Sequence, residues 1–114
     1  MRMKKNIAAF FFLVSVLFLF SCAGEPLPKS KRRYAGVWTA PGFFLSISRE
    51  GYVDYKRVKG SGRVKVRGPI RRYEGNDLIV GIAFFTTRFR ISSPPRYSKG
   101  RWRMTVDGVE LTRK

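Results

Sequence analysis

The chain has 114 residues, with 24 Lys and Arg against 7 Asp and Glu, no histidine and one cysteine, for a formal charge of +17. Without histidine the commonest general base near neutral pH is missing, and a single cysteine excludes an internal disulfide or a Cys/His metal cluster. The length allows one small domain.

Arg2, Lys4 and Lys5 precede an almost uninterrupted apolar run, Ile7 to Phe20, closed by Leu19-Phe20-Ser21-Cys22. A charged start, a short apolar core and small residues near its end are the marks of a secretory signal. This stretch of 14 residues falls short of the roughly 20 that a spanning helix needs. A retained signal anchor, or a free thiol in a secreted protein, are the alternative readings. The stretch resembles a bacterial lipoprotein signal peptide: Leu19, Ser21 and Cys22 match the lipobox, while Phe20 stands where a smaller residue is usual. The resemblance implies cleavage after residue 21, with lipid-modified Cys22 as the first mature residue, anchored by acyl chains. Ala23, not Asp, follows the cysteine, which by the sorting rule of such lipoproteins implies the outer membrane. Three of the 24 cationic residues lie in the leader, so the mature chain carries 21 against 7 acids, or +14. Such a balance concerns partners and solubility, not fold.

Residues 22–33 (CAGEPLPKSKRR) hold two prolines and a cluster at Lys29, Lys31, Arg32 and Arg33, and read as a flexible basic tether. Residues 34–114 then read as the folded domain. Phe43, Leu45 and Ile47 alternate with Phe44, Ser46 and Ser48, the period of a half-buried strand. Tyr52 to Lys59 is a second run, with Val53 and Tyr55 on its core face, and Gly60-Ser61-Gly62 a hairpin connection. Arg63-Val64-Lys65-Val66-Arg67 alternates again, before Gly68-Pro69 breaks or bulges the strand. Leu78 to Phe85 is the most apolar segment and reads as the central strand, with Gly81 marking a bend or close approach. Phe89 and Ile91 oppose Arg88 and Arg90, and Ser92 to Gly100 reads as a loop. Trp102, Met104 and Val106 alternate with Arg101, Arg103 and Thr105; Asp107-Gly108 supplies a type I′ turn, and Val109 and Leu111 return.

No stretch after Cys22 carries a helical period. The expected fold is therefore all-β: an antiparallel meander of seven or eight strands, closed or nearly closed into a small barrel, after an N-terminal signal helix. Gly36-Val37-Trp38 at its opening resembles the Gly-x-Trp signature of lipocalins. That resemblance implies a basic residue near the end of the barrel packed across the tryptophan, a role for Arg113 or Arg103. It covers a handful of residues in a domain about half a lipocalin's length, and so bears on architecture only.

No nucleophile elbow or phosphate loop is present, and most of the acids fall at turns, where Asp and Glu have structural reasons to be. The expected protein is not an enzyme and takes no cofactor or metal. Arg63, Lys65 and Arg67, with Arg88 and Arg90, and Arg101 and Arg103, alternate outward from apolar partners, and would form one continuous positive face if their strands adjoin. Arginine-rich faces suit phosphate or carboxylate. They also simply clothe the wet side of a sheet. Pro95, Arg96, Tyr97 and Lys99 form a candidate partner loop, or an ordinary hairpin connection. The expected function is an outer-membrane lipoprotein whose basic face binds an anionic envelope component or an acidic protein. The alternatives are an accessory subunit of an envelope assembly, or an envelope protease or lysozyme inhibitor. Nucleic acid is a less favoured partner.

Overall fold

The computed structural model describes residues 25–82 and 84–114. The signal helix expected before the domain, and Cys22, lie outside the described residues.

The domain is an all-β antiparallel sheet of nine strands curled into a half-barrel. They are β1 (Gly36–Ala40), β2 (Phe43–Ile47), β3 (Tyr52–Lys59), β4 (Gly62–Glu74), β5 (Asp77–Ile82), β6 (Phe85–Phe89), β7 (Ile91–Ser98), β8 (Arg101–Val106) and β9 (Val109–Arg113). Their order across the sheet is β6-β5-β4-β3-β2-β1-β9-β8-β7. The inward residues of each strand are those that alternation marks: Phe43, Leu45 and Ile47 on β2, Val53 and Tyr55 on β3, Met104 and Val106 on β8, Leu111 on β9. They pack with fully buried Trp38, Leu78, Val80 and Phe89 into one core, which side chains fill as expected for a small barrel. Tyr55 bridges Phe43 and Phe89 edge-on, at ring distances of 5.3 and 4.9 Å.

Three expectations change. Leu78 to Phe85 is not a central strand. β5 ends at Ile82 and lies one place from the sheet edge, while Phe84 and Phe85 sit at an exposed turn. Gly81 explains the shape: with φ of +140°, a Cβ there would collide with the Phe85 carbonyl oxygen, so the chain turns back closely over a residue without a side chain. Ser92 to Gly100 is not a loop but chiefly β7, an edge strand whose register slips between Ile91 and Ser93 and again between Ser93 and Arg96. Pro94 and Pro95 fit there because an edge or bulge position needs no N–H donor. Finally, the end of the supposed tether is packed. Leu27 is buried and donates its N–H to Arg49 O at 2.9 Å, and Lys29–Tyr34 form a 3₁₀ helix. Lys31 Nζ reaches Gly75 O and the Tyr34 hydroxyl donates to Asn76 O, both at 2.9 Å. These contacts fasten residues 27–34 to the β2–β3 and β4–β5 turns, at one end of the barrel.

β4 is long because it serves two neighbours. Gly62–Pro69 pair with β3, and Ile70–Glu74 with β5, interrupted by a bulge at Arg71. At the other seam Arg90 alone separates the edge strands β6 and β7. Two aspartates hold it. Asp77 Oδ1 accepts the Ile91 N–H at 2.7 Å, and Asp107 Oδ1 accepts the Arg90 N–H at 3.0 Å while its own N–H donates to Arg90 O.

Candidate functional site

The expected basic residues lie in three places, not one. β5 separates β4 from β6, and β3, β2, β1 and β9 separate β4 from β8, so the three arginine-bearing strands do not adjoin. Their chemistry differs too. Arg88 is held by Asp77 at 2.8 Å and Glu74 at 2.6 Å, and Arg103 is half-buried against Glu110 and Ser98 O, each at 3.2 Å. Arg90 serves the seam through its backbone. Arg101 is exposed at the start of β8. In the segment read as a partner loop, Arg96 is tied to Ser93 Oγ at 2.7 Å and to Glu110 at 2.9 Å. Pro95 is half-buried, Lys99 sits in the β7–β8 turn with φ of +53°, and exposed Tyr97 stands edge-on to Trp102. Arg96 and Arg103 therefore share Glu110, clipping β7, β8 and β9 together. Glu74, Asp77, Asp107 and Glu110 all act in this structural way.

The contiguous candidate is the arm formed by β3 and the first half of β4. Its register places Asp54 opposite Arg67, Lys56 opposite Lys65 and Val58 opposite Arg63. These three rungs point away from the core, because Tyr55 between them points in. Arg67 is paired with Asp54 at 3.3 Å. Lys56, Arg63 and Lys65 have no acidic partner among the described residues. On β2 the rung continues with half-exposed Phe44, whose ring lies 5.6 Å from Lys56 Nζ. A cleft of about 490 Å³ runs beside it, lined in part by Phe44, Lys56, Val58, Arg63 and Lys65. Lys56 and Phe44 escape a reading that follows the core face of each strand. Zipping Tyr52–Lys59 against Gly62–Pro69 from the Gly60-Ser61 turn would have placed Lys56 against Lys65.

Directly opposed like charges destabilise a sheet, and Lys56 and Lys65 are directly opposed. The rung would be relieved by one anion bridging both ammonium groups, with Arg63 able to add a bidentate contact and Phe44 an apolar surface.

A second constellation is structural. Trp38 donates its indole N–H to Tyr34 O at 2.9 Å, and Arg113 lies across its ring at 5.8 Å. Of the two basic residues named by the lipocalin resemblance, Arg113 takes this place, lying also 5.1 Å from the Trp102 ring, which has Arg33 at 5.5 Å. Gly36 is required beneath it, since a Cβ would stand 2.7 Å from Arg113 Cδ. Burial, then the charge of Asp77 and neighbouring Tyr73, pushes the Tyr34 hydroxyl up to about 12. Asp77 is held below the usual carboxylate range, chiefly by the Ile91 N–H and then by Arg88. No protein-family model, curated protein or solved structure matches the chain.

Proposed function

We propose that this protein is a non-enzymatic lipoprotein of a bacterial envelope, anchored through Cys22, that binds an anionic envelope component on the outer face of the β3–β4 arm. The leader supports the location. The unbalanced Lys56–Lys65 rung, with Arg63 beside it and no acidic partner among the described residues, carries the binding reading. A surface arranged only for solubility has no need to set two ammonium groups directly opposite one another.

The test is binding of the full chain, in non-ionic detergent, to fluorescent polyphosphate at low and moderate salt. Each cation near an anionic surface contributes roughly 1 kcal/mol, so Lys56→Gln/Lys65→Gln should weaken binding about 30-fold. Added salt should weaken the wild type steeply. Arg101→Gln, elsewhere on the barrel, serves as control. Equal losses from Arg101→Gln and from the double variant would overturn the assignment to this face.

A further inference from the structure

The β3–β4 and β5–β6 turns lie at the same end of the barrel, because β3, β4 and β5 are consecutive antiparallel neighbours. Both carry apolar side chains into solvent. Phe84 is 97% exposed, Phe85 85% and Ile82 62% on one turn, and Val58 54% and Val64 42% beside the other. The β3–β4 arm is also cationic. Lys56, Arg57, Lys59, Arg63, Lys65 and Arg67 lie along it, and Asp54, paired with Arg67, is the one carboxylate of β3 and the facing half of β4. A second cleft, of about 540 Å³, lies between the middle of β4 and the β5–β6 turn and joins Lys65 and Arg67 to Ile82 and Phe85. Residues 27–34 are fastened to turns at the opposite end, so they do not cover this one.

An exposed phenylalanine turn beside a cationic arm, of whose cations only Arg67 has an acidic partner among the described residues, matches the layering of an anionic bilayer, with phosphates above hydrocarbon. A protein partner fits less well. Three side chains at a convex turn, each offering roughly 150–250 Å² at most, fall short of the roughly 800 Å² per partner of a stable interface. We propose that this end of the barrel docks onto an anionic lipid bilayer, with Phe84 and Phe85 entering the boundary between headgroups and acyl chains and Lys65 and Arg67 meeting lipid phosphates. The inference goes beyond polyanion binding by the arm: it shares Lys65 with that reading and adds Phe84 and Phe85 of the β5–β6 turn. It needs no particular fate for Cys22.

Because an anchored chain binds membranes in any case, the readout is depth at one position. The full chain carrying Phe84→Trp and Trp102→Phe is placed in nanodiscs of equal parts phosphatidylglycerol and phosphatidylcholine, with acyl chains brominated or plain. Trp38, fully buried, is the internal reference. In the mixed discs the emission of the indole introduced by Phe84→Trp should shift to the blue and be quenched by bromine, and Lys65→Glu/Arg67→Glu should abolish both. Water-like, unquenched emission from that indole would overturn the docking. Equal quenching in pure phosphatidylcholine would overturn the role of the cations. Polyphosphate binding in detergent is measured on the same Phe84→Trp chain, so loss of arm binding and loss of docking are read separately.

Discussion

Asp77 should be the most consequential carboxylate in the domain. Its Oδ1 accepts the partly buried Ile91 N–H at 2.7 Å, where the two edge strands meet, and its Oδ2 takes two N–H groups of Arg88 at 2.8 and 3.0 Å. Asp77→Ala leaves the Ile91 N–H without its acceptor, and a hydrogen bond to a charged group contributes about 1.5–3 kcal/mol. The exposed ion pair adds little. A loss of about 2–3 kcal/mol lowers the melting temperature of a domain this size by roughly 10–20 °C. Arg88→Ala, which spares the Ile91 bond, should shift the melt much less. The sign with pH follows from the depressed carboxyl: the stabilisation is present above the ordinary value of 3.8 and lost as pH falls through the lower folded one. Thermal melts followed by near-ultraviolet circular dichroism, at neutral and acid pH, measure both effects. If Arg88→Ala matches Asp77→Ala, the ion pair and not the backbone bond holds the seam, and the reasoning fails.

Tyr34 should report the opposite pH limb. Its pKa is raised from 10.0 to about 12, so its contribution is present below pH 10 and lost as pH rises toward 12; Tyr34→Phe should flatten that alkaline loss in urea midpoints. Gly81→Ala should cost about 3 kcal/mol or more, since a Cβ meets the Phe85 carbonyl at φ of +140°, whereas Gly75→Ala, with open space around it, should cost about 1–2 kcal/mol from backbone handedness alone. Denaturant titration separates the two. Trp38→Phe should cost about 2–3 kcal/mol by leaving Tyr34 O unpaired and opening space beneath Arg113, with loss of the near-ultraviolet signal.

Period-two alternation made the inward residues of β2, β3 and β8 legible, because one face of each is buried. It failed where hydrophobicity and burial part company. Phe84 and Phe85 read as core by composition, yet Gly81 folds the chain back before they can reach it. The proline pair read as a loop although an edge strand tolerates it. Alternation also gives the face of an arginine without its neighbours. Nothing local in the sequence shows that Arg88 is neutralised by Glu74 and Asp77, or Arg103 by Glu110, while Lys65 is left opposite another lysine.

The strand order also sets how the chain must assemble. Seven of the eight pairings join strands consecutive in sequence, each closed by a turn of a few residues. The exception is β1 with β9, which meet only at Trp38–Arg113 and Thr39–Thr112. Loop-closure entropy delays contacts so distant in sequence. Contact order therefore favours early closure of the hairpins within β1 to β6 and β7 to β9, and late pairing of the first strand with the last, where Arg113 lies across the indole.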